Sequence, residues 1–184
     1  MKEPLIPCAV YIEEIPITPL GPIWIAMTDR GLASVEFIAN RNDFLHLLAN
    51  RGFFPFIDNT ERTHPVVEQI QAYLSGQRTS FDLPIDWSVM RPFQQQVLRL
   101  TSAIPYGKTV TYGELASQMG NPKAARAVGH AQATNPMPLV IPCHRVIGSD
   151  GKLHGYGGRG GLQTKAWLLD LEKSQGIDPS SFVG

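Results

Sequence analysis

Thr111-Tyr112-Gly113-Glu114-Leu115-Ala116-Ser117-Gln118-Met119-Gly120-Asn121-Pro122-Lys123-Ala124-Ala125-Arg126-Ala127-Val128-Gly129 reads as two short helices meeting at a sharp turn. Thr111 and Glu114 have the spacing of a capping box: the threonine hydroxyl accepts from the backbone N–H three residues on, and the glutamate reaches back to the threonine's own N–H. A helix is expected from there through Met119. Gly120 ends it, since glycine takes the left-handed conformation that closes helices. Asn121-Pro122 opens the next, a capping side chain followed by a residue with no N–H where none is needed. Two helices joined this way match a helix-turn-helix, whose second member carries the DNA contacts. The small residues of that second helix let its backbone approach a DNA groove or a neighbouring helix closely, and taken alone they favour helix packing.

Working outward, Phe93, Val97, Leu98 and Leu100 line a preceding helix that stops before the turn Ile104-Pro105-Tyr106-Gly107. On the other side come the turn Gly148-Ser149-Asp150-Gly151, a glycine-rich stretch to Gly161, and an amphipathic helix from Leu162 to Glu172. The first half differs. Ile23 to Met27 and Leu32 to Phe37, joined at Asp29-Arg30-Gly31, read as a β-hairpin, and helical spacing recurs over Asn42 to Asn50 and His64 to Leu74. Prolines and a change of charge balance between Asp82 and Pro92 place a boundary there. The expected organisation is a small α/β domain over 1–88, a mostly helical domain over 89–176, and a loose tail over 177–184. In the first half His46 and His64 read as ordinary residues and nothing looks catalytic.

The net charge of zero conceals a division. Residues 1–86 carry 6 basic and 11 acidic side chains, whereas residues 87–165 carry 9 basic and 2 acidic, a balance suited to a polyanion or to a solvated basic surface. Neither a membrane span nor a leader segment is evident, so a soluble intracellular protein is expected, cytoplasmic and nucleoid-associated in a bacterium. Cys8 and Cys143 are the only cysteines, without the spacing of a zinc site or a disulfide framework.

Cys143 is followed by His144 and Arg145, and a cysteine acts as a nucleophile only as its thiolate. The tripeptide alone is weak evidence, but its surroundings are not. Asn135-Pro136-x-Pro138-x-x-Ile141-Pro142-Cys143-His144-Arg145-Val146 is flanked upstream by Tyr106-Gly107-x-x-x-x-Tyr112 and Asn121-Pro122-x-x-Ala125-Arg126-Ala127-Val128-Gly129. Downstream stand Gly155-Tyr156-Gly157-Gly158 and Lys165-x-Trp167-Leu168-Leu169-x-x-Glu172. From Pro92 to Glu172 this order resembles the O6-alkylguanine-DNA alkyltransferases; Thr18-Pro19-Leu20-Gly21 matches that family's first domain more loosely.

The resemblance implies a ribonuclease H-like α/β domain followed by a winged helix-turn-helix domain bearing the active site. It implies single-turnover DNA repair: Cys143 takes the alkyl group from O6-alkylguanine in double-stranded DNA, with O4-alkylthymine left open as a second lesion. His144 would accept the thiol proton through a water, Glu172 would orient His144, and Asn135 would brace the active-site turn. Tyr112 would donate to guanine N3, with Lys165 and the Tyr156 region stabilising the departing base. Arg126 would fill the space left by an extruded nucleotide, while Ala125, Ala127 and Gly129 let the helix press into the minor groove. Backbone groups of Cys143 and Val146, with Pro138 as wall, would select guanine, and Arg145 would join the DNA contacts. A monomer without cofactor or metal is implied.

Two departures flank the site: a longer glycine-rich loop at 155–161, and His130 where a smaller residue is usual. Three rivals remain at this point. A lesion-binding relative without transfer normally lacks the cysteine, a winged-helix regulator would read one DNA sequence, and a cysteine hydrolase would ignore alkylated DNA.

Overall fold

The computed structural model describes residues 8–154 and 160–175. In the first half β1 (Cys8–Ile15), β2 (Ile23–Thr28) and β3 (Gly31–Glu36) form an antiparallel meander, and β4 (Phe53–Asp58) adds to the free side of β1 in parallel. The resulting order is β3-β2-β1-β4. The β2–β3 hairpin stands where its sequence places it. β1 and β4 carry weaker signals: Glu13-Glu14 interrupts the alternation of β1, and β4 contains Pro55, tolerated because β4 is an edge strand.

α1 (Arg41–Asn50) and α2 (Thr60–Leu74) cover opposite faces of the sheet. The alternation of β2 decides which residues meet which helix. Trp24 and Ala26 face Phe44 and Leu48 of α1, while Ile23 and Ile25 face Val66, Ile70 and Tyr73 of α2. Asn59 caps α2, its side chain accepting from Arg62 N, so the helix starts ahead of His64.

The second half contains α3 (Pro92–Ser102), β5 (Val110–Thr111), α4 (Tyr112–Gln118), α5 (Ala125–Ala133), β6 (Val146–Ile147) and α6 (Leu162–Gln175). The capping box forms in full, with Glu114 N donating to Thr111 Oγ1 at 3.1 Å and Thr111 N to Glu114 Oε2 at 2.6 Å. Gly120, at φ +75°, closes the turn. Asn121 makes no side-chain cap, and Pro122–Ala124 forms a 3₁₀ turn that runs into α5. α5 turns Val128 and Ala131 into a core shared with Val97, Leu115 and Val146, while Arg126, Ala127 and His130 stay exposed.

The α2 core does not stop at the boundary between the halves. It continues through Met90 and Leu98 into Met137, Leu139, Val140 and Ile141, and reaches Leu168 of α6. Backbone bonds stitch the same seam: Leu32 N to Pro84 O at 2.8 Å, Asp86 N to Leu32 O at 2.9 Å, and Val35 N to Pro136 O at 2.8 Å. The segment leading to Cys143 therefore rests on the sheet of the first half. Among the described residues no helix is long and apolar enough to cross a membrane.

Candidate active site

The chain leaves α5 at Thr134 and reaches Cys143 through a buried loop whose shape is set by Asn135. Its amide Oδ1 accepts from Met137 N at 3.0 Å and its Nδ2 donates to Ile141 O at 2.9 Å, while Ile141 N closes onto Met137 O at 2.9 Å. Within this loop Leu139 sits at φ +73°. A branched side chain there costs on the order of 1–3 kcal/mol and persists only where the surroundings over-determine it. The loop ends in a 3₁₀ turn, Cys143–Arg145, buried throughout.

Cys143 is 5% exposed and unpaired. Burial pushes its thiol up from the ordinary range, against the opposing influence of the Asn135 side chain and the charge of Lys165. At neutral pH the sulfur holds its proton, so reaction needs a base.

An imidazole is next in the chain. His144 is fully buried, and burial pushes its imidazole down despite the nearby Glu172 carboxylate, so the ring is neutral at pH 7. Nε2 lies 2.7 Å from Glu172 Oε1. A neutral ring facing an ionised carboxylate must carry its proton on Nε2, which leaves Nδ1 with a free lone pair. Nδ1 is buried and has no protein hydrogen-bond partner among the described residues.

Glu172 is held from all sides. Oε1 accepts from Tyr73 Oη at 2.6 Å and from Arg145 Nη2 at 2.9 Å, and Oε2 accepts from Gly107 N at 2.8 Å. Burial pushes this carboxyl up, but the hydrogen bonds from His144 and Arg145 outweigh it and hold the group at about 2. Gly107 serves through its backbone: Lys108 N closes onto Pro105 O at 3.1 Å, and Gly107 takes φ +70° in that turn, where L side chains are strained.

Across the sulfur stand Tyr112 and Lys165. Tyr112 is the first residue of α4, and its hydroxyl donates to His154 O at 2.9 Å. Lys165 is fully buried; its Nζ donates to Val146 O at 2.6 Å and His154 O at 2.9 Å, and lies 3.5 Å from Tyr112 Oη. Burial pulls the ammonium down to about 8, opposed by Cys143. Gly129 of α5 faces the Tyr112 ring, and a Cβ there would lie 3.8 Å from it, an ordinary contact. The protein's own packing therefore does not demand glycine at 129. Beside it, Ala127, His130 and Thr134 wall a groove of about 830 Å³ that Arg30, Arg51 and Arg91 line from the other side.

Residues 92–174 match the family described as 6-O-methylguanine DNA methyltransferase, DNA binding domain, and residues 11–87 match its ribonuclease-like domain. A methylated-DNA–protein-cysteine methyltransferase of Mycolicibacterium paratuberculosis is 53% identical over 156 residues, 85% of this chain and 88% of that protein. The chain belongs to the 6-O-methylguanine DNA methyltransferase family. Another member bearing that name, from Methanosarcina acetivorans, is 40% identical over 157 residues, 85% of this chain and 95% of its own length. A crystal structure of Mycobacterium tuberculosis OGT in complex with DNA superposes at TM-score 0.75 with 39% identity, covering 90% of this chain and 94% of that one. The two-part architecture, α/β then helical, is that of this methyltransferase family.

Of the residues singled out in the sequence, Cys143, His144, Glu172, Asn135, Tyr112 and Lys165 converge on one locus, with Pro138 buried in the loop and Val146 contributing its carbonyl to Lys165. Arg126, Ala125, Ala127 and Gly129 share α5. Arg145 requires correction. Expected among the DNA contacts, its side chain is 8% exposed and turned inward, with Nε and Nη2 on Glu172 and Nη1 on Ile104 O at 2.6 Å. A buried carboxylate needs a bidentate cation more than the surface needs another charge. Tyr156 lies outside the described residues. The first half, where nothing in the sequence looks catalytic, also reaches this locus. Tyr73, read only as an apolar position of a helix, brings its hydroxyl to the Glu172 carboxylate at 2.6 Å. The available signal was chemical: a tyrosine on the core face of a helix must find a partner for its O–H.

Proposed function

We propose that this chain repairs alkylated double-stranded DNA by transferring the alkyl group of O6-alkylguanine to Cys143. The observation that carries the reading is the neutral His144, its Nε2–H given to an ionised Glu172, with Nδ1 left buried and without a partner among the described residues, on the residue that follows the buried thiol of Cys143. Nδ1 takes the thiol proton across one water. The sulfur lone pair forms a bond to the alkyl carbon, the carbon–O6 bond breaks, and its electrons pass to the purine. Tyr112 Oη donates to the purine as that charge develops, and Lys165, within reach of the same hydroxyl, balances the phenolate.

Cys143 is too deeply buried to meet a base inside a stacked duplex, so the nucleotide must swing out of the helix. The exposed Arg126 occupies the space it leaves, while Ala127 and Gly129 keep α5 thin enough to enter the minor groove. The product is a thioether, which no neighbouring group hydrolyses, so each molecule reacts once. One chain supplies every group in this scheme, and a monomer suffices.

The test is mass spectrometry of the protein after incubation with an O6-methylguanine duplex. The account expects a gain of one methyl on the Cys143 peptide, absent in Cys143→Ser. Tight binding to the lesion with no change in mass overturns transfer.

A further inference from the structure

Tyr73 lies near the C-terminal end of α2, in the half of the chain that carries none of the reacting groups. It is fully buried, and its hydroxyl lies 2.6 Å from Glu172 Oε1 and 3.2 Å from His144 Nε2. A phenol has one proton to give. Glu172 is ionised and can only accept, so that proton goes to Oε1. Tyr73 Oη is then an acceptor toward His144. Nε2 thus faces two acceptors, the carboxylate oxygen and the phenol oxygen, and both require a proton on Nε2. The tautomer that leaves Nδ1 bare is fixed twice over, once from α6 and once from α2.

The Tyr73 ring packs against Phe81 at 5.0 Å between centroids and edge-on against Tyr106 at 6.0 Å, and it belongs to the continuous core beneath the active-site loop. We propose that Tyr73 is a positioning residue for proton removal from Cys143, through which the α/β half fixes the orientation and tautomer of His144. Tyr73 touches neither the sulfur nor the alkylated base; it acts through Glu172 and His144. The inference rests on the reading of Cys143 as the alkyl acceptor.

Two variants separate this role from mere filling of the core. Tyr73→Phe removes the hydroxyl and keeps the ring, whereas Phe81→Leu loosens the ring's packing and keeps the hydroxyl. For each, the single-turnover rate on an O6-methylguanine duplex is measured together with ¹⁵N resonances of the His144 imidazole. Affinity for the same duplex is measured in a Cys143→Ser background. Tyr73→Phe is expected to slow transfer roughly tenfold, the scale of one hydrogen bond to a charged group, and to replace a single Nε2-protonated signature with a tautomer mixture. Its lesion affinity stays within about twofold of the parent, since no DNA-facing group has changed. Phe81→Leu keeps both the rate and the signature. A Tyr73→Phe protein with the parent rate and an unchanged His144 signature overturns the proposal, as does an equal loss of rate in Phe81→Leu. If the unsubstituted protein leaves Cys143 unmodified, the transfer reading is what fails, and the imidazole signature still decides the part of Tyr73.

Discussion

The carboxylate of Glu172 accepts hydrogen bonds from His144, Arg145, Tyr73 and Gly107 in a region closed to solvent, whereas Arg126, Ala127 and His130 on α5 stand in the open. The two regions flank the same loop, which runs from the end of α5 to Cys143, yet they obey opposite rules. Behind the sulfur, burial makes each polar contact strong and each missing partner costly, so the groups are over-held. On α5, side chains are short or free, as suits a surface that is completed by another molecule. Reactivity is thus built into the folded protein, while recognition is left to the complex.

Substitutions that attack one region should leave the other intact. The largest effect belongs to Glu172→Gln. It strands the buried Arg145 and removes the group that fixes His144, so transfer should fall by about 10²–10⁴ and stability by roughly 3–5 kcal/mol, read by single-turnover kinetics and urea unfolding. The same variant loses a pH dependence. Glu172 is held at about 2, below its ordinary 4.5, so its contribution to stability is complete above 4.5 and disappears as pH falls through about 2.

Arg126→Ala attacks the open face. Transfer from duplex DNA should drop about tenfold and the salt dependence of binding should weaken by about one counterion. Reaction with the free O6-alkylguanine base should stay at the parent rate, because the dry network is untouched. An equal loss on the free base would merge the two regions and break the contrast.

Gly129→Ala sharpens it. The added Cβ meets the Tyr112 ring at an ordinary 3.8 Å, so the fold should gain up to about 1 kcal/mol of helix propensity. Affinity for duplex DNA should nonetheless fall a few-fold, as measured by fluorescence anisotropy. Lys165→Met tests the dry region through its pH dependence. With the folded ammonium at about 8 against an ordinary 10.5, the unfolded chain binds more protons between those values, and stability rises with pH across that window. The gain in urea midpoint across the window should be larger in the parent than in the variant, in which the raised Cys143 thiol still opposes it.

Legibility in the sequence follows the same division. Cys143, His144, Tyr112, Asn135 and Lys165 sit on local patterns, and the capping box at Thr111 with Gly120 announces α4 and its end. The alternating faces of β2 give the hairpin. β4 escapes because an edge strand tolerates Pro55 and exposes Phe54, which blurs its alternation. Arg145 misleads because a charge beside a reactive cysteine in a basic segment looks like a DNA contact. Only the fold reveals that Glu172, far along the chain, claims it. Tyr73 and Gly107 are silent for a related reason: one acts through a hydroxyl carried across the seam between halves, the other through a backbone N–H that no side-chain pattern encodes.

The most direct test of the account is the pH dependence of single-turnover transfer to Cys143. With a buried neutral imidazole as base, the rate should hold level from neutrality downward and fall only below the ordinary imidazole value of 6.5, and His144→Ala should abolish that fall together with most of the rate. A rate that instead climbs through the alkaline range where a free thiol ionises, unchanged by loss of His144, would contradict it.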